Sequence, residues 1–276
     1  MDPDFLPDAV DLERPNVARI YDWALGGTAN WAVDRQYGEL ALQAFPLARA
    51  LARGNRDFLG RAVRYCLSQG ITQFLDLGSG IPTAGNVHEV ADDHVDDSRC
   101  VYVDNEPVAV AHGRILLEEA GDAGRHAVLH ADLRDAQDVW AAALATGVLD
   151  PDEPICLLSV AVLHFLPDAG GVREAIRDYR KLLAPGSAYV LSHATESGVG
   201  GAELEQIRRL VKLSERSSSP AVSRSLDEIA AFFGTFDVVE PGIVPVGEWR
   251  PDPGAATVPL ASVVGGVGRK PGGRNA

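Results

Sequence analysis

One stretch constrains this chain more than any other: Phe74-Leu75-Asp76-Leu77-Gly78-Ser79-Gly80, an apolar run that ends in an acid and breaks into a Gly-x-Gly turn. A short apolar run of this kind reads as a buried strand. The glycines let the backbone turn sharply and approach a ligand where a Cβ would clash, and the strand end puts that turn in the crevice of an α/β sheet. A second run, Cys100-Val101-Tyr102-Val103-Asp104, also ends in an acid. A carboxylate at that strand end can accept both hydroxyls of a ribose. Two such strands, with a glycine turn after the first, predict an adenosine-containing cofactor.

What the loop lacks narrows the choice. A dinucleotide site uses a third glycine to pack helix against strand beneath the pyrophosphate. Here the loop runs Gly78-Ser79-Gly80-Ile81-Pro82-Thr83, with Thr83 where that glycine would stand. No lysine follows as in a triphosphate-binding loop. The pattern resembles motif I of class I S-adenosylmethionine-dependent methyltransferases, whose ligand carries a sulfonium and an amino-acid end instead of phosphates.

The resemblance extends along residues 55 to 195. It covers Asp104, the segment Ala131-Asp132-Leu133, the run Ile155-Cys156-Leu157-Leu158-Ser159, a helical pattern from Val172 to Leu183 stopped by Ala184-Pro185-Gly186, and the run Ser187 to Ser192. A closer likeness lies in Ala18-Arg19-Ile20-Tyr21-Asp22-Trp23-Ala24-Leu25-Gly26-Gly27-Thr28-Ala29-Asn30, with Asp34-Arg35 and Asn86-Val87-His88-Glu89. It resembles a largely uncharacterised family of methyltransferases common in actinobacteria. The resemblance implies an α/β, Rossmann-like methyltransferase fold: a mostly parallel seven-stranded sheet, helices on both faces and an N-terminal helical lid. It also implies the cofactor S-adenosylmethionine and its contacts. Asp76 lies near the cofactor's amino group, Asp104 at the ribose, and Asp132 and Leu133 at the adenine, with Gly78, Ser79, Gly80, Asn105 and Ser159, at the end of the fourth strand, as further cofactor-binding residues. Tyr21 and Asn30 enter the pocket from the lid.

Composition agrees with an enzyme of this kind. The 276 residues are 46% hydrophobic, enough for a packed core. No apolar run approaches the ~20 residues of a membrane helix, and Met1-Asp2-Pro3-Asp4 lacks the basic start of a signal peptide, so the cytoplasm is the expected compartment. Cys66, Cys100 and Cys156 are scattered and read as buried thiols, with no metal site. A formal charge of −14 without a strong basic cluster argues against a nucleic-acid partner and for a small molecule, or a protein, as substrate, the small molecule being the expectation.

The organisation reads as an arm and helical lid over 1–54, a core over 55–267 with a helical insertion near 197–224, and a disordered tail over 268–276. Within the lid, helices are expected over Val17 to Leu25, Val33 to Leu42 and Leu47 to Gln69. The insertion holds an amphipathic helix from Ala202 to Glu215, and Ser217-Ser218-Ser219-Pro220 breaks it. Ser225-Leu226-Asp227-Glu228 has the form of a helix start. Phe236 to Glu240 and Val258 to Val264 are expected to close the sheet as an antiparallel hairpin. The run Asp92-Asp93-His94-Val95-Asp96-Asp97 reads as a solvated turn, since it lacks the glycine and terminal glutamate of a calcium loop.

Methyl transfer from a sulfonium depends chiefly on positioning, and a base is needed only if the acceptor must lose a proton. His164 is the candidate catalytic base and His193 a second one, while His88 reads as a packed helix residue. Tyr21, Trp23 and Trp31 would supply lid aromatics to the methyl cation or the substrate. Two other classes share part of the pattern: a non-catalytic S-adenosylmethionine-binding regulator, and an NAD-dependent oxidoreductase, against which the missing glycine counts.

Overall fold

Strand β1 (Gln73–Leu77) is buried along its whole length between β2 (Arg99–Asp104) and β4 (Ile155–Val160), and is parallel to both. Burial on two faces explains why these strands are continuous apolar runs without alternation. The computed structural model describes residues 11–83, 85–120, 123–254 and 260–272. Side chains of successive residues leave the sheet on opposite faces. Leu75, Leu77, Val101 and Val103 therefore enter one core, while Phe74, Cys100 and Tyr102 enter the other. Each large apolar side chain so buried contributes roughly 1.5–3 kcal/mol.

The strand order is β3-β2-β1-β4-β5-β8-β6, with β3 at His126–His130, β5 at Ala188–Ala194, β8 at Val263–Arg269 and β6 at Asp237–Val238. The first five are parallel, and β8 runs antiparallel to β5. This is the mostly parallel Rossmann-like sheet expected, with one strand more than the seven. The extra strand is β7 (Val244–Pro245), which shares one edge of β8 with β6: Val238 pairs with Gly268, and Val244 with Gly265. The closing strand is also displaced from its expected span. It begins at Val263 instead of Val258 and continues through Gly268 and Arg269, where a disordered tail was expected. Lys270 is then held by its Nζ, which donates to the carbonyls of Arg180 at 2.9 Å and Leu183 at 2.6 Å. Residues 255–259 and 273–276, where the rest of those two expectations falls, lie outside the described residues.

Helices cover both faces. α3 (Ala48–Ser68) buries Phe58, Ala62 and Cys66 on one, beside α4 (Val87–Asp92) and α5 (Pro107–Ala120). α6 (Ala136–Ala145), α7 (Val172–Leu182) and the short α9 (Leu226–Ala230), capped by Ser225, cover the other. The lid is built by α1 (Val17–Leu25), α2 (Ala32–Ala44), the start of α3 and α8 (Gly201–Ser214). α8 packs on α2, and Phe45, Ile207 and Leu260 form a small core there. Among the described residues no helix is long and apolar enough to cross a membrane.

Candidate cofactor and acceptor site

A cavity of about 360 Å³ lies between the lid and the ends of β1, β2, β4 and β5. That is within the ~300–1,000 Å³ typical of small-molecule sites. Its floor is the turn after β1. The N–H groups of Gly78 and Ser79 donate to the Val103 carbonyl at 2.8 and 3.2 Å, which ties the turn to β2. Gly78 (φ 70°) and Gly80 (φ 69°) both adopt left-handed backbone. A methyl on Gly78 would fall inside the Val162 side chain, whereas one on Gly80 would meet open space.

Asp104 braces this turn. Its Oδ2 accepts the Gly80 N–H and its Oδ1 accepts the Glu106 N–H, each at 2.8 Å. Burial pushes its carboxyl up, against those backbone donors. The carboxylate, which also feels the Asn105 N–H, lines the cavity with acceptor capacity to spare.

Asp76 is in a different state. It is 6% exposed, lines the cavity and accepts no hydrogen bond among the described residues. Burial pushes its carboxyl up to about 7, although the positive charge of Arg56 pulls the other way. Arg56, from α3, lines the same cavity with its guanidinium 5.7 Å from the centre of the Tyr21 ring. Its Nε is buried and has no hydrogen-bond partner. The cavity thus holds a carboxyl beside a guanidinium with unmet bonding capacity, which fits a ligand carrying both charges.

Tyr21, Asn105, Asp132, Leu133 and His164 also line the cavity. Asp132 is held by Arg134, whose Nε donates to both carboxylate oxygens at 3.0 Å; those hydrogen bonds lower its pKa. Ser159 and Asn30 fall elsewhere. Ser159 is fully buried in a 2.6 Å hydrogen bond with the Tyr189 hydroxyl. Asn30 donates to Asp22 Oδ2 at 2.7 Å and to the Gly27 carbonyl at 2.9 Å, and Asp22 in turn accepts from Thr83 Oγ1 at 2.7 Å. A methyl on Gly27 would overlap Asp22. The motif from Arg19 to Asp34 is therefore mainly a bracing device that fits the lid to the turn. Trp23 packs against Gly38 and Arg49, and Trp31 against Arg19, so neither ring lines the cavity.

The histidines are constrained by their partners. His193 is fully buried; its Nε2 accepts from Arg224 at 2.8 Å, so its Nδ1 carries the proton and donates to the Ala194 carbonyl at 2.6 Å. Burial takes its pKa down to about 4, and with its lone pair engaged it is not a base. His164 is held neutral, first by burial and then by His193 and Arg224. His88 pairs with the Tyr102 hydroxyl at 2.6 Å, a packing role. Arg224, which the sequence reading passed over, spends its guanidinium on the carbonyls of Leu163 and Leu166, on Asp168 and on His193. It fixes the segment that carries His164. Among the described residues no cluster of His, Cys, Asp or Glu is placed to hold a metal ion.

The fold and this site define a class I methyltransferase architecture. The family described as S-adenosyl methyltransferase matches residues 4–271, and the chain belongs to it. Two crystal structures are similar over nearly the whole chain. One, described as a candidate methyltransferase from Thermobifida fusca YX, shares 35% identity over 98% of each chain with a TM-score of 0.86. The other, a DUF574 family protein from Streptomyces avermitilis MA-4680, shares 32% identity over 95% of this chain and 99% of that one, with a TM-score of 0.87. The mitomycin 7-O-methyltransferase MmcR is 18% identical over 91% of this chain and 67% of its own, with a TM-score of 0.53, a likeness of fold alone. Comparison with curated proteins finds no match.

Proposed function

We propose that this protein methylates a small-molecule acceptor with S-adenosylmethionine, the cofactor lying along the strand ends and the acceptor under the lid. The observation that carries the reading is the buried Asp76 carboxyl beside the Arg56 guanidinium, whose Nε has no partner, in a cavity floored by a glycine turn. Asp76 suits the ammonium of the cofactor's amino-acid end and Arg56 its carboxylate. The spare lone pairs of Asp104, with Asn105, suit the ribose hydroxyls, and Asp132 with Leu133 the adenine. When bound, the cofactor supplies a methyl group made electrophilic by a sulfonium sulfur. The protein's part is to hold the two reactants in line and keep water out, with α1, α2 and α8 as the roof.

The cavity is lined past the turn by the lid residues Tyr37, Ala41, Ile207 and Leu210, and this extension into the lid favours an enzyme over a cofactor-binding regulator. Calorimetric titration with S-adenosylmethionine, S-adenosylhomocysteine and NAD tests the reading. Binding of the first two and not of NAD is expected. Binding of NAD alone, or of none of the three, would overturn it.

A further inference from the structure

The walls of the cavity differ in charge. Its charged side chains, Arg56, Asp76, Asp104, Glu106 and Asp132, come from α3, the ends of β1 and β2 and the turns after β2 and β3, with Arg56 next to Asn55 on α3. Another wall comes from α2, α3 and α8, through Tyr37, Leu51, Ala52, Ile207, Leu210 and Val211. A charge carried far into that wall would have no partner. Burial drives the Tyr37 phenol up to about 12, so it stays protonated. Ser214 and Ser217 spend their hydroxyl protons on the carbonyls of Val211 and Ser214.

Two polar groups of the cavity have their proton positions dictated by their neighbours. The Ala161 N–H donates to Ser192 Oγ at 2.9 Å, so the Ser192 proton goes to Asn55 Oδ1 at 2.6 Å. The Asn55 amide is thereby oriented: its Nδ2 donates to Tyr21 Oη at 3.1 Å, and the Tyr21 proton goes to the Ala52 carbonyl at 3.0 Å. No step can be reversed, because a backbone N–H only donates and a carbonyl only accepts. Asn55 lines the cavity with a second Nδ2–H still to give. The Ala194 N–H donates to His164 Nδ1 at 3.4 Å, which leaves the ring proton on Nε2. Both groups are anchored at the end of β5, two residues apart. Beside them Ala161 holds a left-handed φ of 57°, a backbone state that an alanine rarely adopts and that clusters at functional sites.

Asn55 and His164 therefore offer N–H donors and no base, beside the partnerless hydroxyl of Ser262, which lines the same cavity. Resting on the methyltransferase reading, we propose that the acceptor is an apolar, ring-bearing molecule whose acidic phenol or enol oxygen is held as its anion by Asn55 Nδ2–H and His164 Nε2–H, and that the methyl goes to that oxygen. The hydroxyl proton leaves to water before transfer; the oxygen's electron pair then makes the O–CH3 bond while the S–CH3 bonding pair stays on sulfur. An amide or vinylogous-amide N–H, whose nitrogen has no lone pair to offer, would meet these donors head-on and is disfavoured.

A matched pair of probes tests this: 2-hydroxy-1,4-naphthoquinone, an acidic enol, and 2-amino-1,4-naphthoquinone, each titrated into protein saturated with S-adenosylhomocysteine. The hydroxy compound is expected to bind at least about tenfold more tightly. Asn55→Asp, which keeps the shape and replaces the donor with an acceptor, is expected to abolish that preference while S-adenosylhomocysteine still binds. His164→Gln, which retains an N–H, is expected to keep most of it, a check should the first variant fold poorly. Equal or tighter binding of the amino compound overturns the inference, as does an unchanged preference in a folded Asn55→Asp. Failure of both probes to bind protein that does take up S-adenosylhomocysteine overturns it too; failure of S-adenosylhomocysteine itself overturns instead the reading on which it rests.

Discussion

Arg19 reaches across the seam between lid and core to Glu106, with its Nη1 donating to the carboxylate at 3.1 Å, two residues beyond the acid that braces the cofactor turn. The same guanidinium donates through Nε to Asp34 at 2.8 Å and through Nη2 to the carbonyls of Asp11 and Arg14. Arg19 and Asp34 are 1% and 0% exposed. Removing one partner of a buried pair leaves an uncompensated charge and costs roughly 3–5 kcal/mol. Arg19→Met is accordingly expected to lower stability by that order in urea unfolding, and to weaken S-adenosylhomocysteine binding, since Asn16 and Glu106 line the cavity. A loss below about 1 kcal/mol with unchanged affinity would show that the lid is held by other contacts.

Asp76 gives the site a pH dependence whose sign can be worked out. A carboxyl raised to about 7 in the folded protein binds a proton there that the unfolded chain has released above about 4. Stability contributed by the protonated form is thus lost as pH rises from about 4 to 7. Asp76→Asn removes this slope and is expected to be more stable than the parent at pH 8, by roughly 3–5 kcal/mol if the full shift is realised. Cofactor affinity goes the other way. It should rise through pH 7 as Asp76 ionises and pairs with the ligand's ammonium. Calorimetry across pH 5.5–9 checks the rise, and a rise that persists in Asp76→Asn would rule out this carboxylate as its source.

Arg56 can be isolated by changing the ligand instead of the protein. 5′-Methylthioadenosine keeps the adenosine and sulfur of the cofactor and lacks its amino-acid end. Arg56→Ala is expected to weaken S-adenosylhomocysteine by about 10- to 100-fold, in the range of a charge-assisted pair. Binding of 5′-methylthioadenosine should change by less than about twofold. Equal losses for both ligands would mean that Arg56 only shapes the helix.

What the sequence made legible was local chemistry. Strand β1 and its turn could be read because an apolar run, an acid and two glycines are adjacent, and Asp104 because it ends a similar run. Asn55 and Arg56 escaped because they lie within the long α3, where polar residues read as a solvated face; only the tertiary fold turns them to the cavity. Arg224 follows a serine-rich break, and its carbonyl partners Leu163 and Leu166 lie some sixty residues away in the chain. Ser159 was misplaced because a strand end has two faces, and its own face meets Tyr189. The added strand β7 is two residues long and carries no period to detect.

Gly78 and Gly80 have nearly the same backbone but different surroundings, so identical substitutions should act through different terms. Both φ values lie near 70°, where an L-residue pays on the order of 1–2 kcal/mol. Gly78→Ala adds a collision with Val162, which packs directly over the turn, and overpacking costs a further ~1–3 kcal/mol. Gly80→Ala has space for its methyl, and the space is the cavity itself. Gly78→Ala is therefore expected to be the less stable variant by a clear margin in thermal unfolding. Gly80→Ala should lose only that backbone term of ~1–2 kcal/mol yet lose S-adenosylhomocysteine affinity by about tenfold or more, because its methyl stands where the ligand approaches the backbone. Parental affinity in Gly80→Ala would move the ligand away from this turn.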